Sequence, residues 1–472
     1  AGGTAAAYEI RYSLAPITDK TWNQDTFVQT APLPRQAGTR QSLPIAGLGV
    51  GETYYLAVRA IDDAGNMSQL SQVVQARIQN ENTVVEVASV AELYEALADI
   101  APYTTILLED GVYELPRSIN LGPAWTPSGS PLRNVVLKGR SGKSGTVVLK
   151  GPGMSQNKEP KILIRVRHSR DIALQDLTLK DAYFHLVQVQ GEHDADGVRM
   201  SNCRFLDAGQ ELIKVTRNAN IDRYADHGVV ENSFLGFTDH ARYSPNLYGG
   251  VYYTNGIDAL GTSDWSIRNN IFQNIRAPHD NKHPPGIAGA AILMWHQSRN
   301  ATVEKNTFFE CDMGVIFGKT AGDTPDCEYG VIKNNFIYRK GPGDVGISVT
   351  KSRDVKVYHN TVLLNGTFPW TIEERRFKEG KDVRPSMIVN NITDGPIRQR
   401  DYGYAVMESN LTTASRDWFQ DPGNGDLHLK SSATAAIDTG VSIAGVVEDI
   451  DDNSRPMGGG PDIGADEYTP GF

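Results

Sequence analysis

NNIFQNI (269–275), NTFFEC (306–311), NNFIYR (334–339), NTVLL (360–364) and NNITDG (390–395) are variations on one phrase, an asparagine followed by apolar or β-branched residues. NCRFL (202–206) and NSFLGF (232–237) precede them and Asn410 follows. The recurring residues Asn202, Asn232, Asn270, Asn306, Asn335, Asn360, Asn391 and Asn410 are then 30, 38, 36, 29, 25, 31 and 19 positions apart. Hairpin-linked strands return roughly every 8 to 12 residues, whereas steps of about 20 to 45 mark stacked repeats. Each phrase is rich in Phe, Ile, Val and Thr and bounded by Gly, Asp or Pro, the texture of a short strand between turns. Asparagine suits a repeated corner, because its amide tolerates left-handed backbone angles and stacked amides bond to one another. The spacing predicts an all-β solenoid, a right-handed parallel β-helix.

With 472 residues the chain holds two or three domains, or one long solenoid with an appendage. Its 40% hydrophobic content, 46 glycines and 24 prolines suit a turn-rich β protein. No apolar run approaches the roughly 18 residues that span a bilayer, and Ala1 does not open a signal peptide. A net charge of -10 argues against nucleic acid and accommodates a polyanion only where cations are concentrated locally. Cys203, Cys311 and Cys327 are too few for a disulfide framework. Cys203 reads as a small core residue, and a Cys311–Cys327 bridge across one rung and its loop stays open.

Residues 1–79 differ in texture. YEIRYS (8–13), Leu48 followed by Tyr54, and AIDDAGNMS (60–68) resemble a fibronectin type III domain, incomplete because its first two strands have no counterpart before Tyr8. Residues 80–472 form the predicted β-helix domain. Near 89–100, Ser89 and Glu92 have capping-box spacing, and Val90, Leu93, Leu97 and Ile100 share one face, so a short helix lids the open end of the coil. This helix with the following TTILLEDGVYEL (104–115) resembles the opening of β-helical polysaccharide lyases such as chondroitinase B and the related alginate lyases. DPGNGDLHL (421–429), AAIDTG (435–440) and RPMGGGPDIGADEY (455–468) resemble the closing rungs of secreted bacterial β-helix proteins. The resemblance implies a secreted, extracellular or periplasmic, monomeric protein with a polysaccharide partner. One scaffold hosts lyases, hydrolases, epimerases and binding proteins, so fold alone leaves the activity open.

A second strand recurs in LIKVTR, GIDALGT, AILMWHQ, GVIFGKT, GISVTKS and TIEERRF. With Ile213, Ile257, Ile292, Ile316, Ile347 and Ile372 inward, period-two alternation turns Lys214, Asp258, Leu293, Phe317, Ser348 and Glu373 outward. A second outward row reads Thr216, Leu260, Trp295, Lys319, Thr350 and Arg375, with Arg217, His296, Lys351 and Arg376 at the turns. The two longest repeat intervals add loops that carry His240, Arg242, Tyr243, Tyr248, Tyr252, Tyr253, His279, Lys282 and His283. Long loops on one edge of a rigid coil are where function resides.

Candidate catalytic residues are therefore Lys214, His240, Tyr243, His279 and His296. Candidate substrate-binding residues are Arg217, Arg242, Asp258, Lys282, His283, Trp295, Lys319, Arg375 and Arg376. Lys214 and Asp258 are equally readable as a plain surface ion pair, and Arg375 and Arg376 as partners of Glu373 and Glu374. His279, Asp280 and His283 spell HDxxH without a third metal ligand, and EDIDDNS (448–454) matches a calcium loop only loosely, so no metal ligand is assigned although calcium is compatible. HLVQVQGEH (185–193) reads as an ordinary rung. Elimination from a uronate needs carboxylate neutralisation, a base near C5 and a proton donor, functions that Lys, Arg, His and Tyr supply. Alginate and dermatan lyases place two calcium-binding acids before their lysine, whereas here only Glu211 precedes Lys214, so that subfamily's calcium and substrate do not transfer. Hydrolysis would use Asp258 with Glu373 or Glu374, an epimerase would withhold the leaving-group proton, and a binding protein would use the strip without proton transfer.

Overall fold

The computed structural model describes the chain except residues 1–4, 29–30, 33, 35–40, 42, 44, 46–47, 50, 63, 79–82, 124–129, 219–223, 244–251, 320–324, 378–383 and 471–472. Tyr248 lies outside the described residues. The chain divides into two compact units, Ala1–Thr83 and Val84–Phe472.

Among the described residues the first unit holds a four-stranded antiparallel sheet with Ala7–Ser13 between Thr26–Phe27 and Thr53–Ile61, and Val74–Arg77 beyond. Trp22, Ile17 and Ala57 form its small core, and Arg11 and Arg59 lie over the Trp22 ring at 5.4 and 5.1 Å. The Tyr54 hydroxyl accepts from Gly49 N at 2.9 Å, a corner that pins the turn before its strand.

The second unit is the coil. Three long sheets of 12, 10 and 10 strands stack rung on rung with parallel register, and the residues between them make the corners. Inward Leu, Ile, Val and Phe residues run through the interior as one continuous cluster from Val87 to Ala405. The helix Val90–Ala98 lids it: Ser89 Oγ accepts from Glu92 N, Glu92 Oε2 accepts from Ala88 N, and Leu93 is fully buried on the first rung.

The asparagine corner divides its two expected jobs between adjacent residues. Left-handed backbone angles fall on Asn202, Asn232, Asn269, Lys305, Asn334, His359, Asn390 and Ser409. The residue after each builds the ladder and is buried, except the terminal Asn410, which is half-buried. Asn270, Asn306, Asn335, Asn360 and Asn391 each donate Nδ2 to the next amide oxygen at 2.9–3.0 Å, ending on Asn410. Asn202 and Asn232 therefore sit one position early, and Cys203 and Ser233 hold the ladder place on their rungs. All three cysteines are free and buried. Cys311 precedes the strand Met313–Phe317 and Cys327 follows it, which separates the thiols by a strand length and leaves the considered bridge unformed.

The C-terminal segments do not continue the coil as closing rungs. After Ala405–Glu408 the chain folds back along the outside of the second sheet, where Phe419, Leu427, Leu429, Ile463 and Ala465 cover Phe336, Tyr338, Leu363 and Ile392. This tail docks on the corner residues: Asn390 Nδ2 donates to Val441 O, Asn334 Nδ2 to Glu448 O, and His359 Nδ1 meets Asp462 O at 3.1 Å.

Candidate functional site

The third sheet carries the outward strip. Its register pairs Lys214 with Asp258, Asp258 with Leu293, Leu293 with Ile316, Ile316 with Ser348 and Ser348 with Glu373. One rung departs from the predicted alignment. Val315, not Ile316, pairs with Ile292 and Ile347, so Ile316 faces outward and Phe317 inward. The Phe317 ring needs the interior, where it fills the space over Gly330, whose missing side chain would clash with it. Lys319 consequently stands beyond the second row, at the turn.

Lys214 is held between two buried carboxylates. Its Nζ is 2.5 Å from Asp258 Oδ2 and 3.5 Å from Glu211 Oε1, and His185 Nδ1 stands 3.0 Å from Glu211 Oε2. The rung 185–193 thus contributes a charge partner and is more than filler. Asp258 Oδ1 accepts from Trp295 Nε1 at 2.8 Å, and its Oδ2 from the Tyr253 hydroxyl at 3.3 Å. Burial pushes Asp258 upward against the opposing pull of Lys214. Burial also works against Glu211, yet His185 and Lys214 outweigh it and hold that carboxyl down at about 2. Burial disfavours the Lys214 ammonium, but Glu211 and Asp258 more than compensate and raise it, so it stays protonated. Burial, then the Asp258 charge, raise the Tyr253 hydroxyl, which keeps its proton.

His296 adjoins this group at a left-handed turn, its ring 4.1 Å from that of Trp295 and its backbone N–H donated to Asp326 Oδ1 at 2.9 Å. Burial, then the Asp326 charge, act on it in opposite senses, and with Arg217 and Lys214 nearby the result lies below the ordinary histidine value. The imidazole is neutral near pH 7. Arg217 bonds Gln297 Oε1 at 3.1 Å and crosses Gly261, where a side chain would strike Arg217 Cδ and the His296 carbonyl. Lys319 Nζ lies 5.8 Å from the Tyr253 ring centre and 5.7 Å from that of Trp295. Among the described residues neither the Arg217 guanidinium nor the Lys319 ammonium forms an ion pair, although Lys319 N donates to Asp326 Oδ2 at 2.8 Å.

The other predicted residues stand elsewhere. His240, Tyr243, His279 and His283 lie on loops ahead of the strands. His240 packs edge-on against His283 at 5.1 Å, and the Tyr243 ring lies tilted against that of Tyr252 at 5.7 Å. His279 Nε2 faces Asp312 Oδ1 at 3.0 Å, while His283 Nδ1 bonds Asp280 at 2.8 Å, so the two histidines serve separate partners. Arg242 donates to Met154 O and covers Tyr183, a brace between loops. Lys282 is exposed. Arg375 is paired with Asp401 at 2.7 Å and Arg376 approaches Glu374 at 3.9 Å. Glu373 accepts from Ser348, Trp370 and Arg400, and Glu374 turns inward. Among the described residues, the group that could close on a metal is His428, Asp451 and Asp466 in the back-folded tail, far along the chain from Lys214. Asp451 belongs to EDIDDNS, where Asp449 caps its own turn by accepting from Asp451 N and Asn453 N.

Tyr253, Asp326 and His185 join the cluster without having been singled out. The paired tyrosines 252 and 253 held a signal: alternation sends Tyr252 into the loop core and Tyr253 onto the strip. Asp326 arrives across a loop, and no local spacing reveals it.

A family model described as a right-handed β-helix region matches residues 162–367 and 255–439. No curated relative matches the chain. Among solved structures, the alginate lyase of Paenibacillus sp. str. FPU-7 is 14% identical, with 70% of this chain and 100% of that one covered and a TM-score of 0.46. Pectate lyase Pel9A is 13% identical over 80% and 90%, with a TM-score of 0.47. The lacto-N-biosidase of Eubacterium ramulus is 11% identical over 71% and 68%, with a TM-score of 0.45. With more than half of its length matched, the chain belongs to the right-handed β-helix family.

Proposed function

We propose that the strip around Lys214 and His296 cleaves a uronate-containing polysaccharide by β-elimination. The observation that carries the reading is the division of charge. Lys214 is already offset by Glu211 and Asp258, whereas the side-chain cations of Arg217 and Lys319, near His296, form no ion pair among the described residues. A uronate held between those two cations has its carboxylate neutralised, which acidifies the C5 proton. Neutral His296 takes that proton, the electron pair forms the C4–C5 double bond, and the C4–O bond breaks. Tyr253, which retains its proton, delivers it to the departing oxygen and is recharged through the Asp258–Lys214 pair. In this scheme Lys214 is a positioning residue.

Hydrolysis fits less well. Asp258 and Glu373 are four rungs apart, about 19 Å at the spacing of stacked strands, too far for a carboxylate pair. Glu211 and Asp258 are close, but the Lys214 ammonium fills the gap an attacking water would need. Epimerisation would share His296 and differ in where the proton returns. The unit Ala1–Thr83 serves as a fibronectin type III-like spacer, and the protein acts outside the cell as a monomer; no described helix is long and apolar enough to cross a membrane. The test is ultraviolet absorbance of the unsaturated uronate on a panel of uronate polymers. Its appearance with the wild-type protein and its loss in His296→Gln are expected.

A further inference from the structure

Beyond Asp258 the polar strip changes character. Leu293 and Ile316, consecutive in the outward row, form an apolar cluster with Ala290 and Val345, although Ile292 and Val315 already supply those rungs' share of the interior. The coil has no need of them on this face. They form the floor of a cavity of about 220 Å³, whose walls include Tyr253, Asn255 and Lys319. Asn255 is 1% exposed, and its Nδ2 has no hydrogen-bond partner. The Tyr253 hydroxyl is near enough to influence it but does not meet it in bonding geometry. Gly289 preserves the amide's position, since a side chain there would stand 2.3 Å from Asn255 Oδ1. A buried donor without an acceptor costs about 1–3 kcal/mol unless a ligand satisfies it.

Of the groups that could accept from this N–H, a bare hydroxyl or carboxylate leaves the apolar floor of Leu293 and Ile316 uncovered. Floor and donor together match a methyl group carried next to a carbonyl oxygen. We propose that this cavity binds the acetyl group of a sugar neighbouring the cleaved uronate, the methyl against Leu293 and Ile316 and the carbonyl oxygen accepting from Asn255 Nδ2. The inference rests on the elimination reading and narrows its substrate to acetylated uronate polymers. The cavity floor lies two to three rungs from Lys214, about 10–14 Å, which places the acetyl group on a flanking unit.

The test is equilibrium binding of the full chain to O-acetylated alginate oligosaccharides, to the same oligosaccharides after alkaline deacetylation, and to N-acetylated hyaluronan oligosaccharides. At least tenfold tighter binding of one acetylated class is expected, with alkali abolishing the preference only where the group is an ester. Asn255→Leu and Ile316→Asn should each pull that ratio toward one. Equal affinity of wild-type protein for acetylated and deacetylated alginate, together with no tighter binding of the hyaluronan oligosaccharides, overturns the proposal, as does an undiminished preference in both variants. Acetyl preference in binding without any unsaturated product leaves the cavity assignment standing and removes the elimination reading. Unsaturated product from deacetylated chains without preference does the reverse.

Discussion

Removing the Lys214 ammonium should weaken the coil more than it would at an ordinary surface lysine. In Lys214→Met, Glu211 and Asp258, 1% and 0% exposed, lose the cation between them. Breaking a buried pair by deleting one partner costs about 3–5 kcal/mol, because the remaining charge is uncompensated. For a unit the length of Val84–Phe472 that corresponds to a fall in Tm of roughly 5 °C. The deficit carries a pH signature. Without Lys214 the buried Asp258 carboxyl titrates above its unfolded value, whereas His185 still holds Glu211, so the Asp258 penalty is full at pH 7 and shrinks as pH falls toward the unfolded carboxylate range near about 4. Asp258→Asn in the Lys214→Met background should recover part of the loss at pH 7. The assay is thermal unfolding of the single and double variants from pH 4.5 to 7.5. An unchanged Tm, a deficit independent of pH, or no recovery in the double variant would refute the reasoning.

Three further outcomes follow from other parts of the molecule. His359 is buried with Nδ1 facing Asp462 O and Nε2 accepting from Asn390 Nδ2, and burial foremost, with Arg455, holds it down at about 3. Since its unfolded value is near 6.5, the unfolded chain binds the extra proton between pH 6.5 and 3, and stability is lost across that window, by roughly 5 kcal/mol in full. His359→Gln should flatten acid unfolding there, and an unaltered acid transition counts against the assignment. Asn306→Ala orphans the Asn270 donors and removes bonds to Ile267 O, Glu304 O and Asn335, for a cost of roughly 3–5 kcal/mol. Asn232→Gly, at an exposed left-handed corner, should cost under about 1 kcal/mol; equal losses in urea unfolding would contradict the division of corner labour. Because His296 lies below its ordinary value, turnover should rise through a limb below about pH 6.5 and stay level above it. A limb that disappears in His296→Gln together with the activity is expected, and one that persists assigns the titration elsewhere.

Much of the fold was legible because a stacked coil turns long-range contact into a local pattern repeated at intervals. The asparagine spacing, the capping box at Ser89 and the outward alternation that brings Lys214 onto Asp258 all depend on residues a few positions apart. What alternation could not resolve was a choice between two adjacent apolar residues, Val315 and Ile316, which packing of the Phe317 ring over Gly330 decides. The fold-back of the tail was equally hidden, since its contacts with Asn334, His359 and Asn390 span 51 to 114 positions. At the candidate site the strand residues were readable and the loop residues were not. His240, Tyr243 and His279 looked functional by composition, yet their partners lie within the loops that carry them or, for His279, on Asp312. Tyr253 was concealed beside its twin.

The most direct measurement is the product formed when wild-type protein and the Arg217→Ala/Lys319→Ala double variant meet a panel of uronate polymers, followed by absorbance of the unsaturated uronate alongside new reducing ends. The account predicts the two signals rising together in the wild type and both falling at least a hundredfold in the double variant with its fold intact. New reducing ends without the absorbance, or elimination undiminished when both cations are gone, would contradict it.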